Sequence, residues 1–362
     1  MTGSNVLQKL YQWCEERIKW QGLLEFMKNK KVPVHNHSVW YYGGNILITF
    51  FLIQVVTGIA LLFYYQPTPE TAYESVRAII LETRFGWLIR SLHSWSASLM
   101  VATAFVHLFS TFFLKAYRNP RELTWMSGML MFFAILGFGF SGYLLPWNEL
   151  SYFATKVGTG IAGQTPFVGT YLKFFLRGGE EVGAATLSRF FAFHVCVLPM
   201  GLAALLAIHL ILIQVHGLSV PVSLEEKKDK LKSVAFFPDF VLRECAVSCL
   251  MIAVVVSLSV LFPWELGKKA DPFLATPSGI QPEWYFLFMF QALQMIPAKL
   301  GFLEGEKVGI LFFILGFAFM LFVPAIDRQA EKGKKSPLFT WLGVLIGMFV
   351  VGMTLMSMIA NR

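Results

Sequence analysis

Long apolar runs alternate along this chain with short polar ones. Seven runs approach or exceed the roughly 20 residues that carry a helix across a bilayer: about 39–65, 86–114, 123–147, 187–215, 241–262, 308–323 and 338–359. Pro146, Pro263 and Pro324 fall at the ends of the third, fifth and sixth runs, where proline is expected to stop a helix. The pattern predicts an all-α membrane protein with seven transmembrane helices. Residues 1–36 mix charged and apolar positions, as one or two amphipathic helices on a membrane surface would. The loops after the third and fifth runs are long and keep aromatic residues (Phe167, Tyr171, Phe174, Trp284, Phe286), which marks functional rather than structureless connections. The linker 219–240 carries the run Glu225-Glu226-Lys227-Lys228-Asp229-Lys230. It divides a four-helix part, 37–218, from a three-helix part, 241–362. No internal repeat and no secretory signal peptide is expected.

Composition supports the membrane assignment. Hydrophobic residues make up 56% of the 362 positions, charged residues 14%, and mean hydropathy is +0.59; soluble domains carry about 25% charge. The net charge of +8 does not call for a nucleic acid, because Lys and Arg concentrate on one side of the predicted topology. Six precede the first run, and the loops after the second, fourth and sixth runs hold three, four and four. The positive-inside rule then puts the N-terminus on the negative (n) side of the membrane and the C-terminus on the positive (p) side. Cys14, Cys196, Cys245 and Cys249 show neither a CxxC pair nor zinc spacing.

Four of the seven histidines lie inside apolar runs: His93 and His107 in the second, His194 and His209 in the fourth. Ionisable groups in a span are costly and point to function. The intervals of 14 and 15 residues are both close to four helical turns, so each pair shares a helix face, about 21–23 Å apart along the axis. The two helices run in the same direction. His93 should therefore meet His194 near the p side, and His107 should meet His209 near the n side. Zinc would want further ligands that no Cys, Asp or Glu is placed to give. A haem brings four nitrogens of its own and needs only two axial ligands, so two non-covalent, bis-histidine b haems are expected. Gly44 and Gly58, and Gly128 and Gly142, repeat the 14-residue interval on the first and third runs, where glycine lets a flat macrocycle approach the backbone.

Several segments carry a family resemblance. They are Leu88-Ile89-Arg90-Ser91-Leu92-His93-Ser94-Trp95-Ser96-Ala97-Ser98, Pro120-Arg121-Glu122-Leu123-Thr124-Trp125, Gly142-Tyr143-Leu144-Leu145-Pro146-Trp147 and Pro282-Glu283-Trp284-Tyr285-Phe286. Together they resemble the cytochrome b of quinol-oxidising cytochrome bc-type complexes, over nearly the whole chain. The 15-residue interval and the count of seven spans bring the resemblance nearest the cytochrome b-six-f branch, as its four-helix subunit fused to its three-helix subunit IV. The chain departs from that branch in two places. Tyr41-Tyr42 precede Gly43-Gly44 where a cysteine would tether an extra n-side haem c, and Gln214 stands where a basic residue is expected beyond the last haem ligand. The extra covalent haem is therefore not expected, unless Cys14 attaches it.

The resemblance implies a mechanism. Quinol is oxidised at the p side, one electron goes to a Rieske iron–sulfur protein and on to a c-type cytochrome or equivalent acceptor, and the other crosses through the two haems to an n-side quinone site, with proton translocation. Glu283 is the candidate proton acceptor, with Tyr143 and Tyr285 in the quinol pocket. The loop around 156–169 is expected to cover that pocket and dock the Rieske protein, and Arg90 to contact the p-side haem propionates. His37, His216, Arg121 and Lys31 are candidates at the n-side quinone site. The complex is expected to be a multi-subunit dimer in a bacterial cytoplasmic or other energy-transducing membrane, in contact with lipid and quinone. The alternative that keeps the haems is a membrane-anchor cytochrome b of another quinone-linked complex, without a quinol cycle. A transporter would need intramembrane charges or broken helices around a central path, whereas these spans carry few charges, and an assembly subunit would have no use for four buried histidines.

Overall fold

The computed structural model describes residues 3–224, 231–277 and 279–360, so the charged run 225–230 lies outside the described residues. Two surface helices, α1 (Gly3–Ile18) and α2 (Trp20–Asn29), lead into strand β1 (Lys31–Pro33). Then come α3 (Tyr42–Leu62), α4 (Ala72–Leu81), α5 (Gly86–Phe113), α6 (Glu122–Leu144), α7 (Glu149–Gly163), α8 (Gly169–Arg177), α9 (Ala184–Ala192) and α10 (Leu198–His216). Strand β2 (Ser233–Ala235), α11 (Val241–Leu261), α12 (Leu287–Met295), strands β3 (Lys299–Leu300) and β4 (Leu303–Glu304), α13 (Gly305–Ile326), α14 (Arg328–Glu331) and α15 (Pro337–Ala360) complete the order. Seven helical units among the described residues are long and apolar enough to cross a membrane: α3, α5, α6, α9 joined to α10, α11, α13 and α15. The protein is all-α in its body, with two small antiparallel strand pairs.

The surface is apolar and the helix contacts are partly polar, as lipid solvent dictates. Leu52, Val56, Phe133 and Ile211 face outward on the spans, while Ser96, Ser259 and Ser357 are fully buried. The fifth, sixth and seventh spans pack on the first three. Helix α11 packs on α3 and α5, α13 on α6, and α15 on α5.

Two spans hold features that the apolar pattern does not announce. Helices α9 and α10 are joined by one wide turn, Phe193–Val197, in which Leu198 N–H bonds the carbonyl five residues back, on Phe193. Pro199 lies just beyond and has no N–H for the carbonyl of Val195, which favours the wider turn. The sixth span also differs from expectation. Pro324 lies inside α13, which runs on to Ile326. The carbonyl that proline leaves without its helical partner is that of Met320, and the indole Nε1 of Trp125 on α6 donates to it at 2.7 Å. A neighbouring helix thus satisfies the gap, as it can within a membrane bundle.

The loops at each end are knitted together. At one end, residues after α11 bind the loops of the first four spans: Asn148 Nδ2 donates to Leu266 O (2.6 Å), Glu149 N to Lys268 O (2.8 Å), and Tyr73 hydroxyl to Gly267 O (2.8 Å). At the other end, β1 pairs with β2 in the register Lys31↔Ala235 to Pro33↔Ser233, tying the leading surface segment to the linker.

Candidate functional site

The spans bring the histidines together in two places. His93 of α5 and His194 of the wide turn face each other with ring centroids 6.3 Å apart, at 69° between planes. His107 of α5 and His209 of α10 line one cavity of about 480 Å³ with Gly44 and Gly128. The wide turn accounts for the unequal intervals. It takes up one extra residue directly after His194, so 15 residues on this span cover the same rotation as 14 on α5.

Three of the four imidazoles are oriented by the same relay. Thr57 hydroxyl donates to Ile53 O (2.6 Å) and lies 2.8 Å from His93 Nδ1. Ser127 donates to Thr124 O (3.0 Å) and lies 2.9 Å from His209 Nδ1. Ser141 donates to Phe138 O (3.3 Å) and lies 3.2 Å from His194 Nδ1. Each hydroxyl proton is committed to a carbonyl of its own helix, so the oxygen accepts from the imidazole Nδ1–H. That sets the tautomer whose Nε2 lone pair is free to bind a metal. His107 differs: its Nδ1 is buried without a hydrogen-bond partner.

The glycines give room to these rings. A Cβ on Gly142 would stand 2.5 Å from His194 Cε1, one on Gly58 3.3 Å from His93 Cε1, and one on Gly128 3.4 Å from His209 Cε1. On Gly44 it would stand 4.0 Å from His107 Cε1, whereas on Gly43, which the 14-residue interval does not single out, it would stand 2.9 Å from His107 Nδ1.

A haem fits this arrangement. The described residues hold no group of three or more metal-ligating side chains, which suits a cofactor that needs only two axial ligands. Metal–imidazole bonds of about 2 Å on each side place ring centroids roughly 6 Å apart, close to the 6.3 Å between His93 and His194.

The candidate quinol residues form a second cluster beside His194. On α6, the ring of Tyr285 occupies the space a side chain at Gly139 would take, one turn from Gly142 and its contact with His194. Phe138 packs edge-on against His194 at 5.5 Å. Trp284 Nε1 donates to Ser98 hydroxyl at 2.9 Å and anchors the loop on α5. Glu283 precedes them, and burial pushes its carboxyl above the ordinary carboxylate range, partly offset by the Trp284 backbone N–H. Burial and the neighbouring Glu283 and Tyr143 raise the Tyr285 phenol as well.

The remaining candidates divide between the two ends of the bundle. The Arg90 guanidinium binds the carbonyls of Trp264 and Glu265 (3.1 Å to the latter), clamping the loop after α11 onto α5. The four candidates at the opposite end do not converge. Lys31 and Arg121 line the His107/His209 cavity, and Arg121 also bonds the carbonyls of His216 (3.0 Å) and Gly217 (3.3 Å) at the end of α10. His37 lines a different groove, between α5 and α15. His216 meets Arg121 through its carbonyl, and its own Nδ1 is buried without a partner. Sequence reasoning missed Lys30. It lines the cavity and donates to Gln214, so a cation from the leading segment stands at the position where Gln214 replaces the expected basic residue. The four cysteines are free.

Comparison with known proteins decides the family. Residues 27–217 match the family described as Cytochrome b/b6/petB, and residues 269–362 match Cytochrome b(C-terminal)/b6/petD. The chain belongs to the cytochrome b/b6 family. It is 45% identical over 340 residues to the cytochrome bc complex cytochrome b subunit of Chlorobaculum thiosulfatiphilum, covering 94% of this chain and 78% of that one. It is 43% identical to the cytochrome b6 of Synechococcus elongatus over 215 residues, 59% of this chain and all of the relative. Among solved structures it is similar to a chain of a hyperthermophilic respiratory Complex III, with a TM-score of 0.79, 28% identity and coverage of 97% and 98%. This cytochrome b is thus an integral membrane, haem-binding, redox-active subunit of a multi-subunit bc-type complex.

Proposed function

We propose that this cytochrome b oxidises quinol at the end of the bundle that carries His93 and His194, and reduces a quinone at the end that carries His107 and His209. The observation that carries the reading is Tyr285, buried against Gly139 one helical turn from the His194 contact on α6, with the half-buried Glu283 near enough to raise its phenol. His93 with His194, and His107 with His209, would each hold one b haem, with Gly44, Gly58, Gly128 and Gly142 leaving the space. When bound, the haems supply one-electron redox centres on the two sides of the membrane.

The protein's own groups do the proton chemistry. A half-buried carboxyl with a raised pKa is better matched to a quinol hydroxyl at neutral pH than an ordinary carboxylate. Glu283 accepts that proton and passes it toward the p-side surface. Tyr143 and Tyr285 shape the pocket and hydrogen-bond the ring. Helices α7 and α8, held by Asn148 and Arg177, roof it and dock a Rieske iron–sulfur protein, which takes one electron onward to a c-type cytochrome or equivalent acceptor. Lys30, Lys31 and Arg121 make the opposite cavity basic, which suits a quinone that gathers protons and negative charge. The N-terminus then lies on the n side and the C-terminus on the p side, in a bacterial or other energy-transducing membrane, with the complex a dimer.

The test is Glu283→Gln in the assembled complex, with quinol oxidation followed against pH. Wild-type rate should rise with pH through a pKa above the ordinary carboxylate value, because only the deprotonated carboxylate accepts. The variant should keep its haem content, lose roughly a hundredfold in rate and lose that acidic limb. Unchanged rate and pH profile would remove Glu283 from the mechanism.

A further inference from the structure

Helices α5 and α15 leave between them a groove of about 1320 Å³, which adjoins the His107/His209 cavity at Trp40, Ser110 and Leu114. Most of it is apolar, walled by side chains such as Phe105, Phe109, Val351 and Leu355. It runs along α5 from Ala102 to Lys115, about 20 Å at the helical rise, which exceeds half the roughly 30 Å hydrocarbon core. One end is cationic. Lys115 and Lys335 line it, together with Ser336 and Thr340 at the start of the 24-residue helix α15.

Lys115 is the unexplained group. The residue is 5% exposed, and its Nζ is buried with no hydrogen-bond partner. The rings of Phe112 and Tyr117 lie 4.7 and 5.9 Å from it, but they are not acceptors. The nearby carboxylate of Asp327 is committed elsewhere, to the Tyr117 hydroxyl at 2.7 Å and the Ala330 N–H at 3.2 Å. A buried ammonium without an acceptor carries a large unrecovered desolvation cost. An anion at this end would meet Lys115, Lys335 and the N-terminal N–H groups of α15, where the helix dipole favours negative charge. An anion attached to a chain about 20 Å long would also fill the apolar groove.

We propose that this groove is a binding site for one anionic phospholipid, its phosphate held by Lys115 and Lys335 and an acyl chain lying between α5 and α15. Basic pockets between spanning helices select such headgroups. The groove is lined by none of the four paired histidines but reaches His37, Trp284 and Tyr285, so lipid retention is counted separately from quinol turnover.

The test is to wash the purified complex free of lipid in neutral detergent and add back phosphatidylglycerol or phosphatidylcholine. Retained lipid per cytochrome b chain is then counted by native mass spectrometry. One phosphatidylglycerol per chain should be retained by wild type and by Lys115→Arg, and phosphatidylcholine should not. Lys115→Gln and the surface variant Lys335→Gln should each weaken retention at least about fivefold, with haem content unchanged as the folding control. Equal retention in wild type and both Gln variants, equal retention of the two lipids, a quinone in place of lipid, or a second polypeptide seated in the groove would each overturn the proposal.

Discussion

The two ends of the histidine bundle are built differently. At the Glu283 end both imidazoles have hydroxyl partners, Thr57 and Ser141, and loops from the first, third and fifth spans are laced across the top. At the Lys31 end only His209 has such a partner, His107 Nδ1 has none, and the pair opens on a cavity of about 480 Å³ edged by Lys30, Lys31 and Arg121. One end holds its imidazoles by hydroxyl partners beside the half-buried Glu283. The other leaves room and positive charge next to them. On the proposed function, the same four-turn spacing serves a closed site for removing protons and an open one for taking up an anion-forming substrate.

The largest expected effect comes from removing one ligand at either end. His194→Ala and His209→Ala should each bring the haem count from two to one per chain, read by pyridine haemochrome. Loss of both haems from one substitution would mean that the ends are not independent.

Glycine substitutions should separate the ends next. Gly142→Val must push into His194, because even a Cβ would stand 2.5 Å from its ring. It should cost most of the haem at the closed end. Gly44→Ala places its Cβ 4.0 Å from His107, an ordinary contact, and should leave both haems in place. The reduced-minus-oxidised spectrum checks both, and equal loss would erase the contrast.

The smallest effect sharpens the comparison. Thr57→Val keeps the side chain's shape and removes the acceptor for His93 Nδ1–H, making His93 resemble His107. Partners of metal-bound histidines contribute tenfold or more to affinity, so transfer of haem to an apo-acceptor should speed up about tenfold. An unchanged transfer rate would show that the relay orients nothing.

Much of this was legible in the sequence, because membrane solvent imposes simple rules. The seven spans follow from run length, and the facing of His93 with His194 follows from helical phase. What escaped depends on contacts between distant segments. The wide turn at Phe193–Val197 was signalled only by Pro199, and it is what reconciles the 14- and 15-residue intervals. Pro324 reads as a helix end until Trp125 is seen supplying the missing donor to Met320. Lys30 reads as one more basic residue of a surface segment until β1 pairs with β2 and carries it to Gln214. Arg90 reads as an anion partner, and its bonds to the Trp264 and Glu265 carbonyls show only once the loop after α11 is docked on α5. The hydroxyl relays were hidden because Thr57, Ser127 and Ser141 are unremarkable residues for a span until their helices are docked.

The measurement that tests the account most directly is a pyridine haemochrome assay with a reduced-minus-oxidised spectrum on the intact purified complex, scaled per cytochrome b chain. Two non-covalent b haems per chain is the predicted result. A single b haem in an intact, folded preparation would contradict the assignment of His93 with His194 and His107 with His209 as two separate sites.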